Sequence, residues 1–166
     1  VMVAKGGEPL LKESAIAGLR RHLLSRDHIV TPNLPEAELL AGMFITNPEG
    51  MEKAGKALLD QGAKAVLVKG GHLSGGTVTD VLVTRGGVEH FTGQRIETPH
   101  THGTGCTLAS AIATSLAQGR PLRDAVLRAR DYVVRAIAAA PGYGEGHGPL
   151  DHGWLLRSPG KAAGAI

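Results

Sequence analysis

Residues 101–107 have the sequence THGTGCT and lead directly into the apolar pattern LASAIA of residues 108–113. Gly103 and Gly105 allow backbone conformations that a Cβ forbids, and the helix predicted to follow leaves its first amide groups without intrahelical partners. These amides and the helix dipole favour an anion. Cys106 is the only cysteine of the chain, and a thiolate at this helix start is stabilised by the same amides. The stretch therefore predicts a phosphoryl-transfer site.

Length and composition predict one α/β domain. The chain has 166 residues, of which 42% are hydrophobic and 20% charged, as is ordinary for a soluble globular protein. Its 24 glycines and 3% aromatic residues indicate many turns and a core of small aliphatic side chains. Such a core is typical of α/β proteins that contain parallel strands.

Charge and apolar patterning argue against several classes of protein. The net charge is +3, and the basic residues are spread at helical spacing without a cluster or interleaved aromatics, which argues against nucleic-acid binding. No apolar run approaches the roughly 18 residues of a membrane span, and a single cysteine forms no internal disulfide. We therefore expect a cytoplasmic protein. Because residues 1–4 are strand-like and chains seldom begin inside a strand, we also expect a piece of a longer protein.

Hydrophobic periodicity and turn residues predict alternating helices and strands. The predicted helices cover residues 10–25, 37–41, 47–62, 104–118 and 121–140, and the predicted strands cover residues 1–4, 28–31, 65–69, 78–84, 88–91 and 95–98. Asn33 is the predicted cap of the second helix. The strands at 78–84 and 88–91 form a predicted hairpin at a sheet edge. The tail from about residue 158 is expected to be mobile.

Five stretches in the same order resemble one kinase family. They are VMVAK at residues 1–5, TPNLPEA at 31–37, VKGGH at 68–72, the glycine-rich stretch at 101–107 and GHGP at 146–149. The chain resembles the carboxyl-terminal part of the hydroxymethylpyrimidine/phosphomethylpyrimidine kinases of thiamine biosynthesis, in the ribokinase-like superfamily.

The resemblance carries expectations about fold and activity. It implies a three-layer α/β/α fold with a mostly parallel sheet, truncated at its amino end, with residues 1–166 forming the carboxyl-terminal portion of a single kinase domain. It implies ATP and Mg²⁺ as cofactors. The implied reaction is phosphorylation of 4-amino-5-hydroxymethyl-2-methylpyrimidine and of its monophosphate, which yields the diphosphate.

The glycine-rich stretch is the predicted catalytic element. Backbone amides of Gly103, Thr104, Gly105 and Cys106 would stabilise the transferring phosphoryl group. Cys106 would take the acceptor proton or orient the acceptor, and the resemblance implies that cysteine replaces the aspartate of most sugar kinases. The alternative for Cys106 is a buried structural cysteine.

The cofactor residues come from strand ends and from one helix start. Asn33 and Glu36 are spaced to present an amide and a carboxylate to water-coordinated Mg²⁺; the alternative is a capping box, with which metal binding is compatible. Lys69 follows an apolar strand and would contact ATP phosphates, unless it extends into solvent. Thr31 and His102 complete the residues expected to bind the nucleotide.

Two further predictions concern Val1 and the histidines. The resemblance implies that the backbone at Val1 contacts the pyrimidine. His72 and His102 lack the spacing of a zinc site, and His147 either closes over the nucleotide or is a surface residue.

The sequence leaves two other functions open. A pyridoxine or pyridoxal kinase of the same branch has a similar acceptor and glycine loop. The chain is alternatively a catalytically incomplete fragment that binds nucleotide at most. A truncated sheet exposes strand edges and apolar surface, so we expect self-association, with a homodimer as the expected state.

Overall fold

A computed structural model describes residues 2, 10–22, 24 and 28–157. In chain order the elements are α1 (Glu13–His22), β1 (Ile29–Val30), α2 (Leu34–Ala41), α3 (Pro48–Asp60), β2 (Ala65–Val68), β3 (Thr77–Thr84), β4 (Gly87–Gln94), α4 (Thr104–Ala117), α5 (Leu122–Ala138) and α6 (Trp154–Arg157). The strand predicted at residues 1–4 lies, except for Met2, outside the described residues, as does the tail from residue 158.

The chain divides into two compact units. The first is Val1–Arg95, which contains α1 to α3 and all four described strands, and the second is Ile96–Ile166, which contains α4 to α6. None of the helices in the described part of the chain has the length and apolar character that crossing a bilayer requires.

The described strands form one mixed sheet in the order β1-β2-β3-β4. β1 pairs in parallel with β2, whereas β2 with β3 and β3 with β4 are antiparallel. One of the three described strand pairs is parallel, so these strands form a mixed open sheet. The antiparallel pairs have short connections, whereas a parallel pair needs a crossover of a dozen or more residues. The predicted hairpin at a sheet edge is confirmed.

The core of the first unit lies between α3 and the sheet. α3 packs on β2, on β3 and on α2. All four residues of β2 are buried, as the continuously apolar run predicts. Gly55 allows α3 to approach β3 closely, since a Cβ at residue 55 would lie 2.4 Å from a methyl carbon of Val83. Aliphatic side chains thus bring the helix directly onto the strands and fix the ends of those strands.

Asparagine side chains start the two helices that follow β1. Asn33 caps α2 and Asn47 caps α3, each through its side-chain oxygen, which accepts a hydrogen bond from the third helical residue. The Asn33 cap is confirmed, but α2 starts at Leu34 rather than at residue 37, because the helix begins directly after its cap. α2 ends at Gly42, whose φ of 69° is in the left-handed region.

The second unit is built on the pair α4 and α5, which pack together. The short helix α6 was not predicted. Its Trp154 ring lies 6.0 Å from the ring of Tyr132, and the Arg135 guanidinium lies 5.3 Å from the Trp154 ring centroid. These contacts reach back to α5, so the helix depends on residues distant in sequence.

The predicted strand at residues 95–98 is wrong. β4 extends to Gln94, which pairs with Thr77, and the next four residues are not in a strand. Arg95 instead turns its side chain onto the backbone of the segment between β2 and β3. The hairpin is thus longer than the alternating apolar pattern indicates.

We predict that Gly70→Ala destabilises the fold. A Cβ at residue 70 would lie 1.9 Å from the carbonyl oxygen of Thr79, a backbone atom that cannot rotate away. The free energy of unfolding should fall by about 2 kcal/mol or more, as in other overpacked sites. Chemical denaturation followed by circular dichroism measures this change.

Gly71→Ala is the matched control, since a Cβ there has open space around it. It should leave the denaturation midpoint almost unchanged. Equal midpoints for the two variants would contradict the close packing of residue 70 on β3.

Candidate functional site

The carboxyl ends of the parallel strands β1 and β2 bring four predicted residues to one corner of the first unit. Thr31 follows β1, and Lys69 follows β2. Asn33 and Lys69 pair as an isolated parallel bridge, and the Lys69 N–H donates to the Pro32 carbonyl at 2.9 Å. This corner is the end of an open α/β sheet where ligands bind. The structure thus joins Thr31, Asn33 and Lys69, and places Glu36 in the helix that starts there.

Glu36 is held by two backbone N–H groups. Its side chain is buried, with 6% of the residue exposed. One carboxylate oxygen, Oε1, accepts from Met2 N at 2.9 Å, and Oε2 accepts from Asn33 N at 2.9 Å. Asn33 Oδ1 in turn accepts from Glu36 N at 2.9 Å. The capping box, which was the structural alternative for this pair, is therefore present.

The surroundings of Glu36 favour its ionised form. Burial by itself raises the pKa of the Glu36 carboxyl, but the N–H groups of Asn33 and Met2 and the charge of Lys69 outweigh burial and hold the pKa below its usual value. Glu36 is therefore a carboxylate at neutral pH, and its electrostatic partner is the lysine at the end of β2.

The donor set at this corner fits one Mg²⁺ ion with water ligands. Each carboxylate oxygen of Glu36 accepts one backbone N–H through one lone pair and has a second lone pair for another contact. Mg²⁺ usually keeps several water ligands and needs few ligands from the protein, so an ionised carboxylate beside an amide oxygen is sufficient. Across the described residues, no group of three or more His, Cys, Asp and Glu side chains forms a metal cage.

The glycine loop of the second unit leaves its helix start open. Gly103 has a φ of 86°, in the left-handed region that glycine adopts without strain, and α4 begins at Thr104. No side chain of the described residues caps α4. The hydroxyls of Thr104 and Thr107 donate to the carbonyls of Thr101 and Gly103, at 3.1 and 2.8 Å. The Thr104 N–H donates to the Thr101 carbonyl at 3.4 Å, whereas the amides of Gly105 and Cys106 have no side-chain cap among the described residues and suit an anion.

Cys106 lies in the first turn of α4 and is exposed, with a free thiol. The alternative of a buried structural cysteine is wrong, because the residue faces away from the core of its unit. An exposed thiol beside open backbone amides can meet a ligand directly. The catalytic role of Cys106 stays a prediction.

The GHGP segment at residues 146–149 runs beside the glycine loop. Gly148 O accepts from His102 N at 3.2 Å, and His102 and Pro149 form an isolated parallel bridge. His147 Nδ1 lies 3.1 Å from the Pro99 carbonyl. Two stretches that the sequence singled out separately are thus one structural element. The side chain of His102 is exposed, and its role in nucleotide binding stays a prediction.

Sequence reasoning missed three residues that support these segments. His100 packs against the GHGP segment, where a Cβ on Gly148 would lie 2.3 Å from its Nδ1. Asp80 is buried on β3, and its Oδ1 accepts from Gly70 N at 2.9 Å. Arg95 binds the loop after β2. The only signal for Asp80 was that it is the single charged residue of its strand. Val1, predicted to contact the acceptor, lies outside the described residues.

Comparison with known proteins identifies the family. The profile described as phosphomethylpyrimidine kinase matches residues 1–151. The hydroxymethylpyrimidine/phosphomethylpyrimidine kinase of Haemophilus influenzae is 45% identical over 156 residues, which cover 92% of this chain and 58% of that protein. The thiamine biosynthesis bifunctional protein ThiED of Geobacter sulfurreducens is 49% identical over 152 residues, which cover 92% of this chain and 31% of that protein.

Solved structures show the same fold. The pyridoxal kinase from Staphylococcus aureus in complex with ADP has a TM-score of 0.87 at 33% identity, over 95% of this chain and 58% of that chain. The phosphomethylpyrimidine kinase from Clostridium difficile has a TM-score of 0.71 at 38% identity, over 82% of this chain and 55% of that chain. The predicted α/β fold of ribokinase-like kinases is confirmed.

The chain spans 31% and 58% of the length of these two curated relatives. The family match at residues 1–151 includes every stretch on which the resemblance was based. On the family match and these identities, the chain belongs to the phosphomethylpyrimidine kinase family.

Proposed function

We propose that this chain is part of an ATP-dependent kinase that phosphorylates 4-amino-5-hydroxymethyl-2-methylpyrimidine and its monophosphate. The observation that carries the proposal is the start of α4, where uncapped backbone amides and an exposed thiol lie together in a chain of this family. Amides arranged in this way match the requirement of phosphoryl transfer, which is mainly positioning and neutralisation of charge.

In the proposed mechanism the backbone amides of the glycine loop and the Cys106 side chain have separate roles. The amides at residues 103–106 stabilise the charge that develops on the transferring phosphoryl oxygens. The Cys106 thiolate accepts the proton of the acceptor hydroxyl as the acceptor oxygen bonds to the γ-phosphorus of ATP, and the bond from that phosphorus to the ADP oxygen breaks, so that ADP leaves. Open amides fixed by the helix need no rearrangement during the reaction, so they stabilise the transition state at little cost.

The corner at β1 and β2 supplies the proposed cofactor contacts. Lys69 offers a point charge to nucleotide phosphates, while Glu36 and Asn33 hold Mg²⁺ through its waters. Bound Mg²⁺ would neutralise phosphate charge. The carboxylate of Glu36 remains ionised because of its backbone donors. Thr31 and His102 are proposed to make further nucleotide contacts.

A pyridoxal kinase is the second candidate. The observation in its favour is structural, since pyridoxal kinases with nucleotide bound superpose on most of this chain. The pyrimidine kinase is preferred because the curated relatives that carry that name are 40 to 45% identical to this chain. A third candidate, an incomplete nucleotide-binding fragment, follows from the partial span of the relatives.

We also propose that residues 1–166 form part of a single kinase domain and that the protein is a homodimer.

A comparison of acceptors tests the proposed function. The purified chain should transfer phosphate from ATP to the hydroxymethylpyrimidine and to its monophosphate. A site shaped for the pyrimidine should discriminate against pyridoxal by about tenfold or more in kcat/KM. A coupled ADP-release assay measures both. A higher kcat/KM for pyridoxal would establish the second candidate, and ADP binding without turnover on either acceptor would establish the third.

Cys106→Ala tests the proposed base. Loss of a general base should lower kcat by about a hundredfold, while ADP affinity stays close to that of the parent chain. Because Cys106 is exposed, the variant should fold normally. Ser110→Ala is the control, since Ser110 is also exposed in α4. A kcat within twofold of the parent value would exclude Cys106 as the base.

Glu36→Gln tests the ionised state of the buried carboxylate. A lowered pKa in the folded chain means that ionisation of Glu36 contributes stability above the pKa of the unfolded chain, and that this stability is lost as the pH falls through the folded pKa. As the pH falls below about 4, the free energy of unfolding of the parent chain should therefore decrease by the contribution of ionised Glu36. The variant lacks this contribution at every pH, so its free energy of unfolding should decrease less. Urea unfolding at several pH values measures the difference.

Glu49→Gln provides the matched control, because Glu49 lies in the first turn of α3 but is exposed. It should keep the acid-dependent loss of the parent chain. Parallel pH profiles for the Glu36→Gln variant and the parent would show that Glu36 is not ionised in the fold.

A further inference from the structure

One arginine side chain binds the whole loop between β2 and β3. Arg95 Nε donates to the Gly75 carbonyl at 2.8 Å, Nη1 donates to the Gly71 carbonyl at 3.0 Å, and Nη2 donates to the Leu73 carbonyl at 2.5 Å. The backbone N–H of Arg95 also donates to Gly76 O at 2.8 Å. Arg95 thus donates hydrogen bonds to the backbone carbonyls of four residues in one loop.

The loop that Arg95 contacts is costly to order. Residues 70–76 have the sequence GGHLSGG, and glycine loses more conformational freedom on ordering than any other residue. The loop is mostly exposed, and the Leu73 side chain packs against the hydrophobic core. Gly70 N donates to buried Asp80, and Leu73 N donates to Gly70 O at 3.0 Å, so both bonds lie in the first part of the loop. The guanidinium adds three hydrogen bonds that extend to Gly75.

The bonds formed by Arg95 need the shape of its side chain as well as its charge. A guanidinium presents its donors as a rigid planar fork, whereas a lysine ammonium offers donors from one nitrogen atom. Donors on three different nitrogens reach carbonyls of three residues. Lysine would retain the charge but could not reproduce this arrangement.

The loop begins directly after Lys69, the lysine proposed to contact nucleotide phosphates. The Lys69 backbone is bridged to Asn33 on one side and continues into the loop on the other. A loop disordered beyond Gly70 would add an ordering cost to any ligand that contacts this end of the sheet.

We propose that Arg95 is a positioning residue, which holds the loop at residues 70–76 in the conformation that binds nucleotide without itself contacting the ligand. This inference rests on the proposed kinase function for its consequence in binding. The clamp itself, defined as the four hydrogen bonds from Arg95 to the loop carbonyls, is independent of that function.

The test compares Arg95→Ala and Arg95→Lys with the parent chain. Both variants should weaken ADP affinity, measured by calorimetry, by about tenfold, because the ligand must then order the loop. In the acceptor assay the KM for ATP should rise while kcat changes by less than about twofold, since the groups that act in the transition state are untouched. Arg85→Ala is the matched control, as Arg85 is an exposed arginine in the turn between β3 and β4. It should leave affinity and KM unchanged.

Hydrogen exchange separates the clamp from the kinase function. The amides of Leu73 and of residue 95 donate to the Gly70 and Gly76 carbonyls. In both Arg95 variants these amides should exchange about tenfold faster, with the amides of β2 unaffected. Unchanged exchange overturns the clamp, whether or not the parent chain binds nucleotide. If exchange rises but ADP affinity and KM stay within twofold of the parent values, the positioning role is overturned. A parent chain that binds no ADP while exchange rises would instead count against the proposed function.

Discussion

The first unit depends on a buried negative charge that must be paired. Glu36 is 6% exposed, and an unpaired carboxylate in such a position would cost several kcal/mol. Its two oxygens accept N–H groups from Met2 and Asn33, which join the amino-terminal region to the start of α2. Lys69 adds a positive charge from the end of β2. The requirement to pair one carboxylate thus fixes the corner of the first unit at which Thr31, Asn33 and Lys69 lie.

The helices of the chain differ in how they use their first amides. The side-chain oxygens of Asn33 and Asn47 accept hydrogen bonds from backbone N–H groups in the first turns of α2 and α3. α4 follows Gly103 and α5 follows Pro121, and neither helix has a side-chain cap among the described residues. What distinguishes α4 is the combination of open amides with an exposed thiol and the adjoining GHGP segment. In a member of this kinase family, that combination is the feature most directly suited to phosphate.

Local signals predicted the elements and most of the candidate site. The asparagine caps, the apolar run of β2 and the alternation of the hairpin strands each depend on residues close in sequence, and all are present. β2 pairs with β3 in antiparallel orientation because residues 69–76 are too few for a crossover, a constraint that the apolar pattern alone does not express. Contacts between distant residues were not predictable. Arg95 binds only backbone carbonyls, so no partner side chain marks it, and α6 depends on rings from α5.

The measurement that tests the central claim most directly is an amide NMR titration of the chain with Mg²⁺ and AMP-PCP, an ATP analogue that keeps the third phosphate, compared with adenosine. If the start of α4 binds the transferring phosphoryl group, the amide signals of residues 103–106 shift saturably with AMP-PCP and stay in place with adenosine, which has no phosphate. Signals that do not move with AMP-PCP, or that move equally with adenosine, would contradict the assignment of the glycine loop as the phosphate site.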